Sequence, residues 1–362
     1  MTPTDGPETG SPGRRRAKTS AREPVLTPRA LNRAVLARQL LLERTGLSIE
    51  EAVERVAGLQ TQYAPSGYVG LWTRLRDFQR DSLTQALERR VVVQATLMRT
   101  TIHLVSRRVF WRYAVAVRGT RRAWSLRVQA TADEDAMLER ARRLREALAA
   151  GPRTVKELGP LAEGFVGLLG VWVDLVRVPP SGTWERRRAD RLALADDWVG
   201  PCDVTDEEAA THLVWAYLRA FGPASWRDVA SWAGMSVSDA RAAGANLTLA
   251  RFRDESGREL VDVPDGLLPD ESTPAPVRFL PHWDATLLVH ARRTGILPEE
   301  HRPRVFTSRN PFSVGTYLVD GRVVGAWSVR DGRIVLEPYE AISPRDQQEV
   351  ELERAALEAF HA

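Results

Sequence analysis

Two glutamines two residues apart are the residues of this chain whose type and spacing most directly suggest chemistry. Gln60 and Gln62 lie in the segment GLQTQYAP at residues 58–65, where a helical pattern stops. In an extended segment residues i and i+2 share a face, whereas on a helix they point about 200° apart. The pair therefore converges only if the backbone here is extended, and two convergent carboxamides can hold one water molecule between them.

A carboxamide offers one acceptor oxygen and two donor hydrogens but has no useful pKa. The pair can therefore orient a nucleophile while supplying almost no general base, which suits a substrate whose leaving group needs little help. The alternative interpretation is that Gln60 and Gln62 are ordinary polar residues at a helix end, because a three-residue pattern is short.

The surrounding sequence resembles one family through most of its length, about residues 30–360. In the amino-terminal half the similar stretches are residues 31–34, 36–44, 58–62, 70–75 and 95–105, and in the carboxyl-terminal half they are residues 279–290 and 317–327. They resemble the winged-helix DNA-binding family that contains the crosslink-unhooking DNA glycosylases AlkZ and YcaQ. In that family the glutamine pair is the catalytic motif, usually with an apolar residue between the two. Thr61 departs from that pattern.

The resemblance implies that Gln60 and Gln62 are catalytic and that the chain is a DNA glycosylase acting in DNA repair on N7-alkylated or crosslinked purines. Glycoside hydrolysis usually takes two carboxylates, and two amides replace neither well. An N7-alkylated purine already carries a positive charge, so it leaves as a neutral base without an acid. The amide oxygens would stabilise the sugar cation and position water at C1′. Neither Lys18 nor Lys156 is near the motif in sequence to supply an amine for a Schiff base. We therefore expect monofunctional excision, which leaves an abasic site. The alternative is a non-catalytic winged-helix DNA-binding protein or transcriptional regulator.

Composition excludes several other classes of protein. The 362 residues are 43% hydrophobic, enough for two or three cores, but no apolar run approaches the roughly 20 residues of a membrane span. Cys202 is the single cysteine, and the six histidines show no metal-ligand spacing. We therefore expect no metal, no cofactor, no membrane association and a cytoplasmic, nucleoid-associated protein.

Net charge alone does not identify a DNA-binding core. The chain carries +4, of which residues 1–29 contribute +3 through six basic and three acidic residues. What matters is whether basic side chains gather on one face, and the candidate clusters are Arg186–Arg188, Arg121–Arg122 and Arg292–Arg293.

Single residues are assigned to DNA contacts with alternatives left open. Arg99 is the preferred phosphate ligand because guanidinium geometry suits bidentate contacts. His103 either touches a phosphate or lesion or is a structural histidine. Asp284 is either an electrostatic partner in the DNA site or a capping residue beside a buried Trp283. Arg292 and Arg293 complete the predicted DNA-binding set.

The element pattern predicts an α+β fold that is mainly α, with three tandem winged-helix modules before a small β-barrel-like domain and a terminal helix. Capping residues and hydrophobic spacing mark the helices, and Asp-Gly pairs at 320–321 and 331–332 mark hairpins. No dimerisation heptad is evident, so a monomer bound to double-stranded DNA is expected. The predicted boundaries are a disordered basic tail over 1–28, modules over 29–130, 131–200 and 201–270, and the carboxyl-terminal domain over 271–362.

Overall fold

The structure is a computed structural model that describes residues 23–128, 133–162, 170–306 and 313–362. Helices and strands are mixed along the chain, with helices predominating. The helices are α1 Pro28–Arg38, α2 Ile49–Arg55, α3 Pro65–Trp72, α4 Arg80–Glu88, α5 Phe110–Val128, α6 Glu134–Leu148, α7 Val155–Leu158, α8 Ala195–Val199, α9 Asp206–Phe221, α10 Trp226–Ala233, α11 Val237–Gly244, α12 Ala291–Thr294, α13 Arg302–Val305 and α14 Pro344–His361.

Thirteen strands in the described residues form three sheets. The sheet orders are β2-β4-β3-β6-β7-β5, β1-β8-β9 and β10-β11-β12-β13. The strands are β1 Val25–Leu26, β2 Leu59–Gln60, β3 Val92–Thr96, β4 Ile102–Ser106, β5 Arg153–Thr154, β6 Leu175–Arg177, β7 Arg191–Leu194, β8 Ala250–Asp254, β9 Glu259–Asp262, β10 Arg278–Leu280, β11 Gly315–Val319, β12 Arg322–Arg330 and β13 Arg333–Pro338.

The helix starts follow from their capping residues. Ser48, Thr154, Thr205 and Ser225 each accept a hydrogen bond from the backbone amide three residues later, and the carboxylate of the acidic residue there accepts one from the backbone amide of the cap. These reciprocal bonds satisfy amide groups that have no partner within the helix, so the boundary is encoded locally.

The six-stranded sheet crosses the predicted boundary near residue 130. Strands β2 to β4 come from the first predicted module and β5 to β7 from the second, and β3 pairs antiparallel with β6. The sheet separates two cores: Val93, Ala95 and Val105 pack on one face, and Leu59 and Leu104 pack on the other. The two predicted modules thus share one sheet, whose edge strand β2 carries the glutamine motif.

Several predicted elements need correction. The carboxyl-terminal sheet is an open four-stranded antiparallel meander, not a closed barrel, among the described residues. Its predicted turns are present, with positive φ at Asp320 (44°) and Asp331 (49°) as a tight two-residue hairpin requires. The predicted boundary between the second and third modules, at residue 200, directly follows α8.

Within the predicted tail of residues 1–28, the structure describes residues 23–28, which take part in the fold. Val25 and Leu26 pair in parallel with β8, and Thr27 caps α1. Residues 1–22 lie outside the described residues, as do residues 163–169 within the second predicted module. The long helix α5, which packs along α9 in the first core, is an element that the sequence pattern did not predict.

Candidate active site

The glutamine motif begins on strand β2, Leu59–Gln60, whose backbone is extended, and the chain bends at Gln62. Gln60 lies opposite His103 in the antiparallel pair of β2 with β4. One residue further, the Thr61 amide donates to the Ile102 carbonyl at 2.8 Å. Gly58, at φ +85°, lets the chain turn from α2 into β2: a Cβ there would lie 3.2 Å from the Leu104 carbonyl oxygen. The backbone of the motif is therefore fixed on both sides.

Side chains alternate across the motif as in a strand. Leu59 and Thr61 face α3, where their methyl groups lie 3.4 Å and 2.9 Å from the positions a Cβ would take on Gly70 and Gly67. Two glycines on one face of α3 thus allow the close approach. Since strand side chains alternate, Gln60 projects from the opposite face, and Gln62 follows it in the bend beyond β2.

Gln60 is buried and its carboxamide is held by a charged partner. Its Oε1 accepts a hydrogen bond at 3.0 Å from Nη2 of Arg99, and only 7% of the residue is exposed. Because guanidinium has donors and no acceptor, the contact assigns oxygen and nitrogen of this amide without ambiguity. The amide NH₂ therefore points away from Arg99.

Arg99 is turned into the protein. Its Nη1 donates to the Trp232 carbonyl at 2.5 Å, in the last turn of α10, where the helix dipole favours a cation. The backbone of Arg99 is left-handed (φ 53°) and lies against Gly234, where a Cβ would come within 3.3 Å of its amide nitrogen. Burial lowers the pKa of Arg99 to about 10, so the guanidinium stays charged at neutral pH.

His103 completes this network in a neutral form. Burial, with the neighbouring charge of Arg99, lowers the pKa of its imidazole to about 3. Its Nδ1 lies 3.0 Å from the Thr101 carbonyl and its Nε2 lies 3.4 Å from Nη2 of Arg99. Both contacts fit one tautomer, in which Nδ1–H donates to the carbonyl and Nε2 faces the guanidinium.

Gln62 is exposed and is held by the backbone alone. Its Oε1 accepts from the Ile102 amide at 3.1 Å, which again fixes which end of the carboxamide is oxygen. An amide oxygen has two lone pairs, so one remains for a further donor. Gln62 thus presents a fixed carboxamide at the surface, whereas Gln60 lies beneath it.

Three other predicted DNA-binding residues lie away from this network. Asp284 is fully enclosed, accepts two hydrogen bonds from Arg74 at 2.9 and 3.1 Å, and caps the turn at Thr286. Arg293 is 5% exposed and donates to Asp228 at 2.8 Å, whereas Arg292 is exposed and pairs with Glu299. A direct DNA contact by any of these three remains a prediction.

One exposed arginine near the motif belongs to a predicted basic cluster and is not among the single residues predicted to contact DNA. Arg187, in the run Arg186–Arg188, donates from Nη1 to the Tyr63 hydroxyl at 3.0 Å. Tyr63 directly follows Gln62, so this cation lies beside the motif although 124 residues separate the two partners. A run of three arginines carried the signal, but their proximity to the motif depends on the fold.

Within the described ranges, no group of three or more His, Cys, Asp or Glu side chains is arranged to hold a metal ion. The same part of the chain contains no helix long and apolar enough to cross a membrane.

Comparisons with known proteins agree on one family. The family model described as DNA glycosylase AlkZ-like matches residues 53–360. Among solved structures, the chain is similar to Streptomyces sahachiroi DNA glycosylase AlkZ, with a TM-score of 0.79 over 93% of this chain and 97% of that chain. The sequence identity is 22%, so this likeness concerns the fold. No curated protein matches the chain.

Proposed function

Because the chain belongs to the AlkZ-like DNA glycosylase family and is by that membership a hydrolytic DNA-repair enzyme, we propose its substrate and mechanism. The substrate is an N7-alkylated or crosslinked purine nucleotide in double-stranded DNA. The reaction is hydrolysis of the N-glycosidic bond, leaving an abasic site. The observation that carries the proposal is that both carboxamides of the motif are oriented by a donor, Gln60 by the Arg99 guanidinium and Gln62 by the Ile102 amide.

The absence of a titrating acid or base from this network suits a cationic leaving group. His103 is neutral and Arg99 is charged throughout the neutral range, so neither transfers a proton near pH 7. An N7-alkylpurine needs no acid, because cleavage of its N-glycosidic bond makes it neutral. What the enzyme must supply is a positioned water molecule and a polar environment for the sugar cation.

The two glutamines have different tasks in this mechanism. Arg99 polarises the Gln60 carboxamide, which makes its N–H groups better donors and its oxygen a weaker acceptor. Gln60 therefore donates, holding the water or a sugar-phosphate oxygen. Among the described residues Gln62 accepts one backbone hydrogen bond, and its remaining lone pair accepts an O–H of the attacking water, whose proton passes to solvent at this exposed residue. Arg99 acts through Gln60 as a positioning residue.

The sheet topology supports monofunctional excision. Lys156, the lysine in the described part of the chain, lies two residues beyond β5, and β5 and β2 are opposite edges of the six-stranded sheet. Five strand spacings of about 4.8 Å put the two edges roughly 24 Å apart. An amine at that distance cannot form a Schiff base at a sugar placed beside the glutamine pair.

We propose that DNA reaches the motif along three winged-helix modules. The protein would act as a cytoplasmic monomer on nucleoid DNA. Arg187 lies exposed beside Gln62 and is suited to a phosphate contact. Arg292 and Arg293, from the carboxyl-terminal domain, line a cleft of about 1070 Å³ together with residues of α10 and α11 in the third module, and we propose that this cleft contacts DNA.

Release of 7-methylguanine from N7-methylated duplex DNA under single-turnover conditions tests the proposal. Gln60→Ala and Gln62→Ala should each slow release by on the order of 10²-fold or more, because preorganised polar groups dominate such catalysis. Gln347→Ala, on the surface helix α14, is the matched control and should leave the rate unchanged. Duplex binding without release from any N7-alkyl substrate would favour the non-catalytic regulator.

A further inference from the structure

A pocket of about 410 Å³ opens next to the glutamine motif, lined from Tyr63 onward. Tyr63 and Ser66, which follow Gln62, form one wall, and His282, Trp327 and His361 from the carboxyl-terminal domain form the other. The volume falls in the roughly 300–1,000 Å³ range of small-molecule sites. Its place at the end of the motif is what separates this pocket from the other cavities.

The rings of the wall stand edge to face around the pocket. The ring centroids of Tyr63 and His282 are 5.4 Å apart at 75°, and those of Trp327 and His361 are 5.9 Å apart at 76°. Burial lowers the pKa of His282, and lowers that of His361 to about 4, so both imidazoles are neutral at pH 7. Aromatic walls of this kind hold flat ring systems by stacking and edge contacts.

Two buried polar atoms of the wall have no hydrogen-bond partner in the described structure. They are the Ser66 hydroxyl, in a residue that is 1% exposed, and Nε2 of His361. A buried polar group without a partner is costly and rare, so a ligand that supplies partners would be favoured. The ligand must therefore be flat and must carry polar edge atoms.

The rim of the pocket disfavours a cation. Arg187 donates to the Tyr63 hydroxyl at the edge of the pocket, and the positive charges of Arg187 and Arg80 both lower the pKa of His361. A neutral heterocycle fits this potential, whereas a second positive charge would be repelled.

We propose that this pocket, which we call the aromatic pocket, binds a planar, uncharged heteroaromatic ring system of the substrate. The inference rests on the proposed function. Two parts of an N7-adduct have this chemistry: the purine itself once its glycosidic bond breaks, and an aromatic ring carried on the N7 substituent. Both would enter past Tyr63, one residue from Gln62.

Calorimetric titration of the intact protein with two free bases, 7-methylguanine and 7-benzylguanine, tests binding without any cleavage step. Equal affinity for the two would identify the purine as the occupant, and binding of 7-benzylguanine alone would identify the substituent ring. Ser66→Ala should weaken binding about 5-fold, the effect of one lost hydrogen bond. Ser328→Trp, which fills the pocket from β12, should weaken it at least about 10-fold.

Thr73→Val is the matched control, since it removes another buried hydroxyl without a partner that does not line the pocket. It should leave both affinities unchanged. Failure of both bases to bind the wild type, or equal binding by wild type, Ser66→Ala and Ser328→Trp, would overturn the proposal. Release of 7-methylguanine from DNA in the same preparations reports separately on the proposed function, so that the two failures are distinguishable.

Discussion

Gln60 and Gln62 are the same residue type two positions apart in one short segment, yet they occupy opposite environments. Gln60 is 7% exposed and accepts from a buried guanidinium, whereas Gln62 is exposed and accepts from a backbone amide. The first environment depends on a side chain that also binds α10, and the second depends only on the register of β2 with β4. The comparison indicates that a symmetrical motif in the sequence can encode an asymmetrical pair in the fold.

The largest effect should follow from removing the partner of the buried glutamine. Arg99→Met retains length but leaves the Gln60 oxygen and the Trp232 carbonyl without their donor, so we expect release of 7-methylguanine to slow by about 10²-fold. Arg99→Lys should not restore the rate, because one ammonium group cannot reproduce the two guanidinium contacts, to Gln60 and to the Trp232 carbonyl.

The same variant separates the two assignments of Arg99. The sequence suggested a phosphate contact, and the structure turns the guanidinium toward Gln60 and Trp232. We expect duplex affinity in Arg99→Met, measured by fluorescence anisotropy at several salt concentrations, to keep its salt slope. A slope reduced by about one contact would return Arg99 to the phosphate set.

Removing the arginine beside the exposed glutamine should have a smaller effect, and the effect should be on DNA affinity. Arg187→Ala removes a cation beside Gln62, so affinity should fall severalfold and the salt slope by about one phosphate contact, with the bound-state rate nearly unchanged. Arg345→Ala, at an exposed position in the first turn of α14, serves as the control. Equal slopes for wild type and Arg187→Ala would remove Arg187 from the DNA surface.

Between the two glutamines, the threonine that departs from the family pattern should affect stability only. The Thr61 hydroxyl is buried without a partner while its methyl packs at Gly67. Thr61→Val should therefore raise the free energy of unfolding by about 1 kcal/mol in urea titration, with the release rate preserved. Thr183→Val, whose hydroxyl donates to the Pro180 carbonyl at 2.7 Å, should instead destabilise. A loss of stability in Thr61→Val would mean that the hydroxyl has a partner.

The smallest expected effect is that of pH on the chemical step. With the pKa of His103 near 3 and that of Arg99 near 10, the single-turnover rate should be flat from about pH 5 to pH 9. An inflection near pH 6.5 would show that an imidazole takes part.

In contrast to the rate, the free energy of unfolding should depend on pH in acid. The folded state holds His103 neutral below the pKa of an unfolded histidine, so protons bind preferentially to the unfolded chain between about pH 6.5 and pH 3. The contribution of His103 to stability is present above this window and is lost as the pH falls through it. His103→Asn should reduce that loss in thermal melts across the window.

Local signals predicted much of this fold. Ser48 with Glu51 set a capping box, Asp331 with Gly332 set a hairpin, and the extended backbone predicted from the glutamine spacing is present at Leu59–Gln60. Each depends on residues within a few positions of one another, where backbone hydrogen bonding and sterics decide the structure.

The partners of the site could not be predicted in the same way. Arg99 binds a carbonyl 133 residues later, and Arg187 reaches Tyr63 across 124 residues. No local rule distinguishes an arginine that turns inward from one that meets a phosphate. The left-handed backbone at Arg99, which directs its side chain, also depends on the packing of Gly234.

Charge-for-amide substitution at the two glutamines tests the division of labour most directly. Glu keeps both oxygens and loses the NH₂ group, so Gln62→Glu can still accept from Ile102 while Gln60→Glu retains only its contact with Arg99. We expect the single-turnover rate of 7-methylguanine release to stay within about 10-fold of wild type in Gln62→Glu. In Gln60→Glu the same rate should fall about 10²-fold. Equal loss in both variants, or the reverse order, would contradict this division of labour.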